Sequence, residues 1–298
     1  MDAEFQIAEA EASHEVLAPS RQTMPLVFAS PHSGNRYPEA FVAASKLDRL
    51  MLRRSEDSFV DEIFGAAPNL GAPLLRALFP RAYVDPNREP FELDPGMFDE
   101  PLPAYANTRS PRVAAGLGTI ARVVANGTEI YGGKLSFREA LGRIRSCYWP
   151  YHTALKELIE ATQARFGFCI LVDCHSMPST VSSRGGSAER GAAPTKADFV
   201  LGDCHGTACA PAVTELVAEE LARLGYRVAC NAPYSGGFVT RHYGRPREGV
   251  HALQIEISRR LYMDEMKIKR SASLDALAAQ MTPIMVALAG LDRRRLAS

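Results

Sequence analysis

The chain has no apolar run of roughly 18 or more residues, the least that crosses a bilayer as a helix. The nearest approach, Leu274 to Leu291, is interrupted by Asp275, Gln280 and Pro283. It has no excess of charge: 34 Lys and Arg face 34 Asp and Glu, for a formal net charge of zero. A general nucleic-acid binder would carry a basic surplus, so that class is set aside with the membrane proteins. The first residues, MDAEFQIAEAEASHEV, are acidic and lack the basic stretch and apolar core of a secretory signal; a cytoplasmic location is expected. There is no C-x-x-C. The six cysteines stand at 147, 169, 174, 204, 209 and 230. Cys169 and Cys174 fall in FCILVDC, an apolar run that reads as a strand, where residues five apart face opposite ways. Reduced, mostly buried thiols are therefore expected, not a disulfide framework or a zinc cluster. Phosphate-loop and dinucleotide signatures are also missing: no G-x-x-x-x-G-K-[ST] exists, and GLG at 116–118 lacks its third glycine. No G-x-S-x-G is present, so a serine nucleophile on an elbow is unsupported.

What remains is an ordinary globular composition, 46% apolar and 23% charged over 298 residues, enough chain to bury a core without staples. Residues 1–22, acidic and Ala/Glu-rich, read as a loose or disordered arm or a short packed helix. Residues 23–298 read as one catalytic α/β domain. Apolar runs at 26–30, 82–85, 168–173, 198–203, 226–231 and 251–258 are expected strands. Helical patterns cover 39–52, 56–64, 136–166 (broken near Trp149-Pro150), 210–224 and 272–291. Alternation of the two implies a layered α/β fold with a mixed, mostly parallel sheet. The Gly/Ser-rich stretch 179–195 reads as a mobile surface loop able to act as a lid.

Polar residues mark the ends of the apolar runs. His32 follows LVFASP and His175 follows FCILVDC. In open α/β sheets the ligand crevice lies beyond the carboxyl ends of the strands, so two such histidines can meet, and imidazole is a common zinc ligand. Either one alone would more often be a hydrogen-bonded structural residue. Glu256 lies inside HALQIEIS, on the strand face it shares with Ala252, Gln254 and Ser258. A carboxylate there must be paired, with Arg259 or Arg260 for example, or serve as a base. An open metal site needs a third ligand, and EDSFVDEIF offers Glu56, Asp57 and Asp61 near a helix start, of which Glu56 and Asp57 lie nearest the buried arc. A helical wheel does not choose between them, and Asp57 could equally cap the helix. Asn87 and Arg88 in DPNREP suit a ligand carboxylate, against the plainer role of a turn. Arg241 and Arg245 follow the glycine pair at 236–237. His205 reads as loop-structural and His152 as packing.

At these residues the sequence resembles the N-formylglutamate amidohydrolase family. The matching segments are SPHSGNRYP, EDSFVDEIF, PRAYVDPNREPFELDP, IYGGKLSFREALGRI, YWPYHTAL, DCHSMPS, DFVLGDCHG, NAPYSGGFVTRHYGRP and HALQIEISRRLYMDE, in family order from about residue 25 to 265. The resemblance implies a three-layer sandwich with a mixed, mostly parallel central sheet, similar to zinc carboxypeptidases and aspartoacylase. It implies a hydrolase, dependent on Zn2+ or another divalent metal, that cleaves N-formyl-L-glutamate to glutamate and formate, late in one route of histidine degradation. On that basis His32, Asp57 and His175 are the metal ligands and Glu256 is the base that activates water. Asn87, Arg88 and Arg241 hold substrate carboxylates, with Arg88 also assisting the oxyanion. The related carboxypeptidases use a tight His-x-x-Glu; here position 35 is Asn, so the acid must come from elsewhere. The expected partner is a small carboxylated molecule, with no nucleic acid and no membrane. A hydrolase of another N-acyl amino acid, a carboxypeptidase-like enzyme, or a non-catalytic binding protein of the same fold are the competing readings.

Overall fold

The computed structural model describes residues 12–124, 127–181 and 196–296. Among these, seven strands form the central sheet: β1 (His14–Leu17), β2 (Leu26–Ser30), β3 (Leu74–Ala77), β4 (Cys169–Met177), β5 (Phe199–Gly202), β6 (Val228–Cys230) and β7 (Val250–Ser258). Their spatial order is β1-β3-β2-β4-β7-β5-β6. Four neighbouring pairs are parallel; β1 against β3 and β5 against β7 are antiparallel. The helices are α1 (Glu39–Ala44), α2 (Arg49–Arg53), α3 (Val60–Ile63), α4 (Ala67–Leu70), α5 (Pro111–Ala114), α6 (Phe137–Arg143), α7 (Trp149–Phe166), α8 (Pro211–Arg223), α9 (Phe238–Tyr243), α10 (Leu274–Ala289) and α11 (Arg293–Leu296). No described helix is long and apolar enough to cross a membrane.

Alternation along the central strands divides the core into two layers, as the three-layer expectation requires. Leu26, Phe28, Ile170, Val172 and Cys174 pack on one side, against α3, α8 and α10. Val27, Ala29, Cys169, Leu171 and Ala252 pack on the other, against α1, α6 and α7. Cys169 and Cys174 thus face opposite ways, and all six thiols are unpaired.

Several local expectations are corrected. Residues 14–17, assigned by sequence to an arm, form the edge strand β1; residues 1–11 lie outside the described range. The run 82–85 is a turn, not a strand. Its apolar residues Ala82 and Val84 are buried among loops, which composition does not distinguish from burial in a sheet. The strand of that region is β3, whose LLRA is too short to show a period. Only 60–63 of the expected helix 56–64 is helical, because Phe59 takes a left-handed φ of 68° and starts the helix there. The strand ending near 173 runs on to Met177, so His175 lies within β4. Of the loop 179–195, all but residues 179–181 fall outside the described range.

Candidate metal centre

Three separate segments bring His32, Asp57 and His175 together. His32 sits just past β2. Asp57 precedes α3, and its backbone N–H donates to His32 O at 3.0 Å, which ties the two segments. His175 lies in β4. One suitable donor atom from each lies within 4.8 Å of the others. Asp57 Oδ2 is 3.2 Å from His32 Nδ1 and 3.0 Å from His175 Nδ1. The outer nitrogens are fixed from behind: His32 Nε2 donates to Asp85 Oδ1 at 2.7 Å and His175 Nε2 to Asp173 Oδ1 at 2.9 Å. Carboxylates behind the distal nitrogens set the tautomer that leaves both Nδ1 lone pairs free for an ion. Two imidazole nitrogens and one carboxylate oxygen, held this way, fit a divalent metal of the zinc type.

Asp57 and Glu56 have different neighbours. Glu56 is buried elsewhere, bonded to Arg53, Ser58 and Tyr37. Asp57 caps no helix; the residue in that position is Phe59. Its second oxygen accepts from Ser176 Oγ at 3.0 Å and from Arg259 Nη2 at 3.1 Å. Arg259 also donates to Ser176 Oγ and to the carbonyls of Glu56 and Arg54. Burial pushes the Asp57 carboxyl up, but hydrogen bonds and charge from His175 and His32 outweigh it and hold it well below the usual range. Burial opposes the His175 imidazolium, yet Asp173, Asp57 and Glu256 keep its pKa well above the ordinary value. Binding of an ion at this nitrogen would require that proton to leave.

Glu256 is beside this group because β4 and β7 run parallel with His175 opposite Glu256. As alternation requires, it shares a face with Gln254, whose Nε2 donates to Glu256 Oε1 at 2.9 Å. Arg259 bonds to Asp57 and Arg260 to Asp198, so among the described residues neither forms the ion pair with Glu256. Burial pushes the Glu256 carboxyl up to about 8; His175 and Arg81 oppose this, and Asp57 and Asp173 add to it.

These residues line a cavity of about 290 Å³, whose walls also carry Arg81, Asn87, Arg88 and Arg112. Asn87 Nδ2 is 3.1 Å from His175 Nε2, and its Oδ1 accepts from Val239 N at 2.8 Å. Gly237 passes so close to the Asn87 amide that a Cβ there would overlap it. Arg88 donates to the carbonyls of Leu117 and Asn87 at 2.7 Å. Its burial lowers the guanidinium pKa to about 10. Arg241 departs from expectation: it is exposed on α9 and is not among the cavity-lining residues. Val239 and Thr240 form the buried side of that helix, and the next helical step turns residue 241 outward. His152 is buried and packed, as expected, with Nε2 donating to Pro86 O; His205 is exposed in its loop.

Sequence reasoning did not single out Asp85, Asp173, Arg81 or Arg259 for the site. Asp173 stands two residues before His175, so strand alternation puts both on one face. That was the available signal. Nothing local marks Arg81, or assigns Arg259 to Asp57.

A family model described as N-formylglutamate amidohydrolase matches residues 24–263. A protein named N-formylglutamate deformylase from Pseudomonas aeruginosa is 31% identical over 288 residues, covering 95% of this chain and 99% of its own. One of the same name from Pseudomonas putida is 28% identical over 260 residues, covering 84% and 86%. A solved structure described as N-formylglutamate amidohydrolase from Ralstonia eutropha JMP134 superposes with a TM-score of 0.86 at 38% identity, covering 95% of this chain and 99% of that one.

Proposed function

The chain belongs to the N-formylglutamate amidohydrolase family, and on that premise we propose that it hydrolyses N-formyl-L-glutamate to L-glutamate and formate. The observation that carries this reading is the buried His32–Asp57–His175 group with Glu256 alongside, in a cavity walled by guanidinium groups. The three residues would hold zinc or another divalent ion, which would supply Lewis-acid chemistry: a lowered pKa for a water and polarisation of an amide carbonyl.

The chain supplies the rest. Glu256 takes the proton of the attacking water and later gives it to the departing amine. A carboxyl pushed toward neutrality can do both. Asn87 and Arg88 hold one substrate carboxylate, and Arg88 also faces the developing oxyanion. Arg112 and Arg81, the latter already paired with Asp85 at 2.7 Å, are the wall cations offered to the second carboxylate; Arg241, not lining the cavity, is given no part. The formyl carbon bears only hydrogen beyond its carbonyl, so a short wall there would reject acetyl. Products of this kind suit the closing step of histidine degradation, and six unpaired thiols suit a reducing compartment such as the cytoplasm.

A panel of N-formyl-, N-acetyl- and N-succinyl-glutamate and N-formyl-aspartate, followed by release of the free amino acid, tests the reading. N-formyl-L-glutamate is expected to have the highest kcat/KM. A preference for acetyl or succinyl substrates would identify a different amidohydrolase, and binding without turnover a non-catalytic protein.

A further inference from the structure

Residues 80–88 carry much of the site: Asp85 behind His32, Asn87 beside His175, and Arg88 in the cavity wall. The segment contains neither helix nor strand, so its position must be fixed from outside. One helical rod does this at three points. Arg143 Nη1 donates to Tyr83 O at 3.4 Å, and its guanidinium lies 4.4 Å from the centre of the Tyr83 ring. His152 Nε2 donates to Pro86 O at 2.8 Å. Tyr148 Oη donates to Arg88 O, also at 2.8 Å. The last two clasp the carbonyls on either side of Asn87.

Three grips from one rod need one face. Residues 148 and 152 are four apart and share a face of an α-helix. Residues 143 and 148 are five apart, and at 3.6 residues per turn they would point about 140° away from each other. The rod is not α-helical there. Ile144–Tyr148 is a π-helical turn, and the Trp149 N–H donates to Ile144 O, five residues back. In such a turn residues five apart stack, and single turns of this kind inside α-helices gather at functional sites. The sequence provides a cause. Pro150 has no N–H to offer Ser146 O, and its ring would strike that carbonyl in a regular helix; the wider turn removes the conflict. The Trp149-Pro150 break expected from sequence is thus a change of helical pitch within a rod that runs from α6 into α7.

We propose that this π-helical turn is a positioning device. It brings Arg143 onto the face of Tyr148 and His152, so that the rod grips residues 83–88 and sets where Asn87 and Arg88 meet the substrate. The three are positioning residues, acting through the loop, and the inference rests on the reading that Arg88 holds a substrate carboxylate.

A double-mutant cycle with N-formyl-L-glutamate as the probe tests it. Tyr148→Phe deletes the bond to Arg88 O with little change of shape. Arg143→Lys, on the far side of the π turn, keeps the charge but loses the planar contact with Tyr83. Each is expected to raise KM about three- to tenfold, with any loss of kcat no larger than that of Arg88→Ala and bound metal unchanged. In an Arg88→Ala background the same substitutions should raise KM by a smaller factor, because the part of their effect that passes through Arg88 is already lost. An unmoved KM in either single variant, or an equal rise in both backgrounds, overturns the positioning role. If Arg88→Ala alone leaves KM unchanged, the reading of Arg88 fails instead, and the premise of the inference with it.

Discussion

Replacing Arg259 with Ala tests how the centre is held when no ion is bound. Asp57 is 1% exposed, and its Oδ1 is served by Arg259 Nη2 at 3.1 Å and Ser176 Oγ at 3.0 Å. Arg259 is itself buried and spends its other donors on Ser176 and the carbonyls of Glu56 and Arg54. The substitution removes the only arginine bonded to Asp57 among the described residues and strands three further acceptors. Breaking a buried ion pair costs about 3–5 kcal/mol. At roughly 2 °C or more of Tm per kcal/mol in a large domain, the fall is at least about 6 °C. The assay is thermal unfolding of chelator-treated protein, wild type beside variant. Arg259→Lys should recover part of the loss, since an ammonium can reach one acceptor but not the fork of them. If Arg259→Ala unfolds within about 2 °C of wild type, the guanidinium is not holding Asp57 and the account of the apo centre is wrong.

Two other outcomes follow from the same geometry. Glu256→Gln should keep its metal and lose about 10²–10⁴-fold in kcat; normal turnover would remove Glu256 from the mechanism. Stability should also depend on pH through His152. Burial lowers its pKa from 6.5 to about 4, so the folded state resists a proton that the unfolded state accepts. Its neutral form is fully tolerated above pH 6.5, and stability falls as the pH drops from there toward 4, by about 3 kcal/mol from this group. His152→Gln should flatten that part of the urea-midpoint profile; an unchanged slope in the variant would contradict the assignment.

The sequence carries the layered fold because the central strands are long apolar runs, buried on both faces, as LVFAS and FCILVD are. It carries the two histidines and Glu256 because strand ends and strand alternation are local properties. LLRA at 74–77 and HEVL at 14–17 escape notice because four residues cannot display a period, and their pairing is decided by partners about 60 residues apart in the chain. What separates Asp57 from Glu56 is not local either. It depends on Arg53, Ser58 and Tyr37 claiming Glu56 while Arg259 and Ser176 claim Asp57. Arg241 is the opposite case: its motif suits a carboxylate, but α9 buries Val239 and Thr240 and leaves Arg241 exposed, outside the cavity lining. The π turn is half legible, since Pro150 announces a disturbance but not whether the rod bends, stops or widens.

Anomalous diffraction from crystals of the metal-loaded protein, recorded at the absorption edge of the loaded ion, tests the central claim most directly. The expected result is one peak per chain within bonding distance of His32 Nδ1, Asp57 Oδ2 and His175 Nδ1, absent in His175→Ala. A peak elsewhere, or no peak in crystals of enzyme that turns over fully, would contradict it.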